Sequence, residues 1–260
     1  MIVSVIIIAR NEETRVAKTI KSLLRQDIAL REIVLVNDGS TDRTGKIAEE
    51  LDCITIHLPY HEMSYVGRPE LGAVLNQGLA KIRDIGVPDY ILQMGADHVL
   101  PVDYISSLLT LMGDDIKISS GTFTEAKLEK DVPLGSGRLI EAKIWNDING
   151  IQYPVKYGFE SWLVYRYRMM GYKVKRYDNV VSDTRPIRIN PAKAFEWGKC
   201  SYALGGGFIF VLIKAMGMGS SGYSFLKGYY SRDNVEKHLD IEEYVKKQQW
   251  NRALNKLGFN

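Results

Sequence analysis

Three apolar runs, each emptying into an acidic tip, constrain the fold of this chain more than any other feature. Val34-Leu35-Val36-Asn37 leads straight into Asp38-Gly39-Ser40-Thr41-Asp42. Residues 3–9 (VSVIIIA) end in Arg10-Asn11-Glu12-Glu13, and residues 90–94 (YILQM) run into Gly95-Ala96-Asp97-His98. The first two acidic tips are followed by helical spacing, through Val16, Ile20, Leu23 and Leu24 and through Ile47, Ala48 and Leu51. Strand and helix patterns alternate to about residue 115, which predicts βαβ units and a parallel sheet. In open sheets of that kind ligands sit in the crevice beyond the carboxyl ends of the strands.

Taken alone, the run at 38–42 has two readings. Asp38 can accept hydrogen bonds from a base or ribose while Gly39 lets the backbone pass close to the ligand. Equally, Asp-Gly is a common turn and Ser40 or Thr41 a cap for the following helix. Three acidic strand ends within the first hundred residues favour the ligand.

Composition agrees. A chain of 260 residues with 45% hydrophobic content buries a full core, and a net charge of +3 is too mild to argue for nucleic acid. The basic residues then serve an anionic donor or a membrane surface. Cys53 and Cys200 are the two cysteines, without CxxC or finger spacing, so neither a disulfide framework nor a zinc site is implied. The apolar start lacks a basic leader and a small-residue cleavage site, so it reads as a core strand in a cytoplasmic chain. Residues 60–69 suit a loop over a binding site, residues 71–82 a helix, and Gly135-Ser136-Gly137 a flexible connection.

The stretches VSVIIIARNEE, EIVLVNDGSTDRT, GAVLNQGLA, ILQMGADHVLP and GFESWLVYRYRMMGYKV resemble, in order and spacing, the inverting glycosyltransferases of family 2. The resemblance implies a GT-A fold, an α/β Rossmann-like mixed sheet flanked by helices. It implies a catalytic domain over 1–190, with a nucleotide-binding half to about 115 and an acceptor half over 116–190, then a C-terminal helical extension over 191–260.

It also implies an activity: transfer of a sugar, with inversion, from a UDP- or GDP-sugar to a hydroxyl or phosphate of a glycan or polyprenyl-linked acceptor. Glu12 and Asp38 fall against the nucleoside, with the backbone at Ala9, Asn11 and Ala96 alongside. The family's Asp-x-Asp cation motif is reduced here: Gly95 holds the first acidic position and Asp97 the second. Asp97, His98 and Asp183 are the candidate ligands for Mn2+ or Mg2+. Arg185 and Arg188 are candidate diphosphate contacts because a guanidinium pairs well with phosphate oxygens.

Glu160 matches the family's base, with Arg166 and Gly171 in register and Phe159 in place of the preceding acid. A carboxylate at the acceptor hydroxyl can take its proton as the new bond forms. Trp145 and Trp162 are candidate acceptor platforms. The missing acids at 95 and 159 leave open a silent, nucleotide-sugar-binding scaffold, and a homodimer is also left open.

Residues 202–213 are apolar, but Lys214 closes the run short of the roughly 20 residues a membrane span needs. This segment, or the basic amphipathic stretch over 241–257, suits a peripheral contact at the cytoplasmic face of a membrane. Gly217-Met218-Gly219-Ser220-Ser221-Gly222 matches a dinucleotide fingerprint, but too little chain follows it to build that fold, so it reads as a hinge.

Overall fold

The computed structural model describes residues 1–123, 132–185 and 189–256. The chain divides into two compact units. One comprises Met1–Met63, Val74–Gln152 and Met170–Ile187; the other comprises Ser64–Ala73, Tyr153–Met169 and Arg188–Asn260.

The first unit is built on a seven-stranded mixed sheet. Strands β1 (Val3–Ala9), β2 (Glu32–Asn37), β3 (Ile54–His57) and β4 (Tyr90–Gly95) run parallel. Strand β5 (Ile116–Phe123) follows, and β6 (Arg138–Glu141) lies antiparallel between it and β4. Strand β7 (Lys173–Ser182) pairs parallel with β5, giving the order β3-β2-β1-β4-β6-β5-β7. The inner parallel strands are buried almost throughout, so they read as continuous apolar runs and not as alternation.

Helices α1 (Val16–Leu24) and α2 (Thr44–Glu50) form where the spacing places them. The third helix, α3 (Pro69–Ile85), is longer than the sequence predicts because Pro69 is pre-organised for a helix start. Helix α4 (Tyr104–Met112) packs on the core with Tyr104, Ile105 and Leu108, and α5 (Ala142–Asn149) follows β6 directly.

Register brings the acidic tips together. Ala9 pairs with Asn37 and Ile8 with Gly95, so β1, β2 and β4 end at one edge of the sheet. The chain steps from β1 outward to β2 and β3 and returns to β4 on the other side, which makes this edge a topological switch point.

The glycine–serine run at 135–137 is not a flexible connection. Ser136 Oγ accepts the Gly95 N–H at 2.9 Å, the Gly137 N–H donates to Gln93 O at 2.9 Å, and Tyr104 Oη donates to Gly137 O at 2.8 Å. Gly137 sits at φ +73°, where a Cβ would lie 2.6 Å from Tyr104 Oη. Composition suggested mobility; tertiary hydrogen bonds fix the segment.

The second unit is helical: α6 (Phe159–Met169), α7 (Pro191–Ala203), α8 (Phe208–Met216), α9 (Gly222–Tyr230) and α10 (Glu242–Lys256). Asn190 caps α7 by accepting the Lys193 N–H, and Pro191 opens the helix. Helices α7 and α9 cross in backbone contact, since a Cβ on Gly198 would fall 2.1 Å from Phe225 O and one on Gly228 1.9 Å from Phe195 O. The glycines at 217–222 do not form a simple hinge either. A short 3-10 turn joins α8 to α9, and a Cβ on Gly222 would meet Ala215 O at 2.2 Å. Among the described residues no helix is long and apolar enough to cross a membrane.

Candidate active site

The loops after β1 and β2 are laced together by the polar side chains of the 38–44 run. Asn11 adopts φ +53°, a left-handed conformation that asparagine tolerates better than most residues. Its N–H donates to Ser40 Oγ at 3.0 Å and its Oδ1 accepts the Thr41 N–H at 2.9 Å. The Glu12 N–H donates to Thr44 Oγ1 at 2.7 Å, and the Glu13 N–H to Asp42 Oδ2 at 3.1 Å. Burial works to raise the Asp42 pKa, but hydrogen bonds from Thr44 and Glu13 outweigh it and hold the carboxyl below its ordinary range. Ser40 and Thr41 therefore serve the neighbouring strand end more than the cap of α2.

The residues expected at the nucleoside lie around this frame. The Asp38 N–H donates to Ala9 O at 2.9 Å, and the Ala96 N–H donates to Ile8 O at 3.2 Å. The Asp38 side chain is buried, with Oδ1 3.0 Å from His61 Nε2.

The decisive cluster joins Glu12, Asp97 and Arg185. Arg185 Nε donates to Asp97 Oδ2 at 2.8 Å, and its Nη2 pairs with Glu12 Oε1. The hydrogen bond to Asp97, joined by that to Glu12, pushes the Arg185 pKa above its ordinary value against the opposing effect of desolvation. One cation thus bridges the ends of β1, β4 and β7. A backbone bridge between Val99 and Asp183 sets the exposed Asp183 next to the same loop.

His98 departs from expectation. The ring is fully buried, with Nδ1 2.8 Å from Ser136 Oγ and Nε2 2.6 Å from Ser182 Oγ. Ser182 Oγ donates to Thr122 O at 3.1 Å, so it accepts from His98 Nε2–H. Nδ1 then accepts from Ser136 Oγ–H, while that oxygen accepts the Gly95 N–H. Burial pulls the His98 pKa down to about 4, although Asp97 and Asp183 act to raise it. The ring is neutral and both nitrogens are committed, so His98 is a strut beneath the Asp97 loop and not a cation ligand.

Among the described residues no three histidine, cysteine or carboxylate side chains converge as a cation cage. Of the expected ligands, Asp97 and Asp183 are hard oxygen donors that both act on His98, and Asp97 is paired with Arg185. Two such donors fit Mg2+ or Mn2+ when substrate phosphates complete the shell.

In the helical unit, Glu160 lies half-buried in the first turn of α6, at the positive end of the helix dipole. Phe159, in the place of the family's preceding acid, is buried against Tyr153 with ring centroids 4.9 Å apart. The two tryptophans are packing residues. Trp145 has no exposed surface and its Nε1 donates to Gln152 O at 3.1 Å. Trp162 is buried, its Nε1 donating to Asp240 at 2.8 Å while the ring stacks on His238. Neither presents a face to an acceptor. Arg188 lies outside the described residues.

The pattern described as Glycosyl transferase family 2 matches residues 4–187, which takes in the seven-stranded sheet but for the first residue of β1. The chain belongs to glycosyltransferase family 2. A relative, an uncharacterized glycosyltransferase of Haemophilus influenzae, is 28% identical over 149 residues, 56% of this chain and 44% of the relative. The chain spans less than half the length of the curated relatives it matches.

Among solved structures, a mannosyltransferase of Pyrobaculum calidifontis in complex with GDP-Man and Mn2+ superposes with a TM-score of 0.63 at 15% identity. The match covers 88% of this chain and 75% of that one. Residues 1–349 of TarS from S. aureus in complex with UDP-GlcNAc give a TM-score of 0.55 at 15% identity, covering 90% and 74%. At that identity the likeness establishes the GT-A fold of this family 2 glycosyltransferase and nothing finer.

Sequence reasoning missed His61, Ser136 and Ser182. The irregular polar loop over residues 60–69 was the one available signal for His61; the two serines carry none, because their partners lie 38 and 84 residues away.

Proposed function

We propose that this family 2 glycosyltransferase moves a sugar, with inversion at the anomeric carbon, from a UDP- or GDP-sugar to a hydroxyl or phosphate of a glycan or lipid-linked acceptor. The observation that carries the reading is the convergence of Glu12, Asp97 and Arg185 at the switch point of the sheet. Two carboxylates and a guanidinium suit a nucleoside and a diphosphate better than an apolar ligand. The GDP-mannose and UDP-GlcNAc held by the two structural neighbours support the donor class.

In this reading Asp38 and Glu12 hold the nucleoside with the backbone of Ala9, Asn11 and Ala96. Arg185, with Arg188, meets the diphosphate as its charge grows on departure. Asp97 and Asp183 hold a divalent cation, which when bound neutralises the leaving diphosphate. Glu160 takes the proton of the acceptor hydroxyl. Residues 1–190 form the catalytic part, with 1–115 serving the donor and 116–190 the acceptor, and 191–260 are the extension.

An apolar stripe on α8 supports a lipid-linked acceptor. Ile209, Ile213 and Met216 follow helical spacing and are exposed, Met216 by 82%, while Val211 and Ala215 face inward. Lys214, exposed in the last turn of the same helix, suits an anionic leaflet. Flotation with anionic liposomes tests this, and an Ile213→Asp variant that floats as well as wild type would refute it.

The primary test is calorimetric titration of UDP, GDP and their sugars into wild type and Asp97→Ala, with manganese, magnesium or chelator. Metal-dependent binding of one nucleotide, lost in the variant, is the expected result. Binding without turnover of any acceptor would favour the silent scaffold that Gly95 and Phe159 allow.

A further inference from the structure

The loop following β3 closes over the end of β2 and covers Asp38, which is 3% exposed. Its contacts fix a hydrogen-bond direction. His61 Nδ1 lies 2.6 Å from Arg10 Nη1, and the same guanidinium nitrogen donates to Met63 O at 2.5 Å. The second terminal nitrogen of Arg10 donates to His61 O. Nδ1 also lies 2.6 Å from Met63 O; on the other side of the ring the Asp38 carboxylate can only accept, so the nitrogen that faces it, Nε2, carries a proton. Nε2–H therefore donates to Asp38 Oδ1 at 3.0 Å.

A second observation shows that this closure is built into the backbone. Gly39 has φ +64°, and a Cβ there would lie 2.6 Å from Pro59 O and 3.0 Å from Tyr60 Cα. Only glycine at 39 lets the loop settle on the carboxylate.

The protein thus satisfies Asp38 with a ring N–H of its own. Uracil and guanine carry a ring N–H on their pairing edge; adenine and cytosine carry a ring acceptor nitrogen there. We propose that His61 is an exchangeable cap on Asp38, replaced in the complex by the ring N–H of uracil or guanine, so that the pair selects the nucleobase of the donor.

This rests on the reading of Asp38 as the nucleoside ligand. The exchange conserves one charge-assisted hydrogen bond, so its net cost is small for a base that brings a donor. A base that brings an acceptor breaks the His61 bond and faces a buried carboxylate with nothing in return. The closed cap also lowers apparent affinity by the fraction of molecules in which it is open.

The test is titration of UDP, GDP, CDP and ADP, with manganese present, into wild type, His61→Ala, His61→Gln and Asp38→Asn. UDP or GDP should bind at least about tenfold tighter than CDP and ADP. His61→Ala should bind the preferred nucleotide about three- to tenfold tighter than wild type. His61→Gln, which keeps an N–H donor, should stay near wild type.

Weaker or unchanged binding by His61→Ala, with Asp38→Asn impaired, overturns the cap and leaves Asp38 as ligand. Undiminished binding by Asp38→Asn overturns the reading of Asp38 itself, and the cap with it. A readout independent of variant stability is the ring carbon–proton NMR signal of His61, identified by its loss in His61→Gln. It should move when nucleotide is added to wild type, and a signal that stays in place overturns the exchange.

Discussion

Arg185 and Asp97, 88 residues apart in sequence, meet through a 2.8 Å hydrogen bond that ties the end of β7 to the loop after β4. The same guanidinium pairs with Glu12 beyond β1. A reduced Asp-x-Asp motif is therefore not left as a lone carboxylate. It carries a cationic partner from the far side of the sheet, which in the proposed reaction is the charge that meets the departing diphosphate.

Replacing Arg185 by Gln should lower kcat/KM for the donor by about 100-fold, the scale of losing one charge-assisted contact to a developing charge. Arg185→Lys should recover only part of the loss, since an ammonium cannot span two acceptors in the plane of a fork. Steady-state kinetics decide the matter, and unchanged kcat/KM would remove Arg185 from the diphosphate site.

Glu160→Gln should reduce the transfer rate by about 10²- to 10⁴-fold while leaving the nucleotide Kd unchanged. Single-turnover transfer measured beside calorimetry separates the two quantities. If nucleotide affinity falls in parallel, Glu160 is part of the binding surface and another group is the base.

Protein stability should fall on acidification because of His98. Its folded pKa is depressed to about 4 by burial, below the ordinary histidine value of about 6.5. Between those values the unfolded chain binds the proton and the folded chain does not. The contribution is therefore full above about pH 6.5 and is lost as pH drops towards 4. Its size is on the order of 3 kcal/mol. Urea unfolding at a series of pH values should show this slope, and His98→Asn should flatten it.

Gly228→Ala should destabilise the helical unit by about 1–3 kcal/mol, because the added methyl group meets backbone atoms of Phe195 that cannot rotate away. Gly217→Ala is the control: its backbone is helical and nothing lies closer than 3.5 Å to its Cβ position. A melting temperature lowered in the first variant and unchanged in the second is the expected pattern.

What could be read from the sequence was what is local. Residues 3–9, 34–37 and 90–94 announce strands because both faces are buried, and their acidic tips share an edge because parallel register aligns them. The register therefore brings Glu12, Asp38 and Asp97 to the one sheet edge that the sequence reading assigns them, and Arg185 pairs with two of the three.

The rest depends on partners that no spacing rule supplies. Ser136 looks like linker composition yet holds Gly95 and His98. His98 looks like a ligand beside Asp97 yet points into the core. Trp145 and Trp162 look like sugar platforms, but an aromatic next to a site in sequence carries no information about which way its ring faces.

At Gly95 a Cβ would lie 3.1 Å from Asp97 Oδ1 and 3.6 Å from Ser136 Oγ. The room that the family's first acid would need is lined by the remaining acid and by the serine that props up His98. An Asp at position 95 thus asks the Asp97 carboxylate to give way by a few tenths of an ångström, so the state of position 95 and the aim of Asp97 are set together.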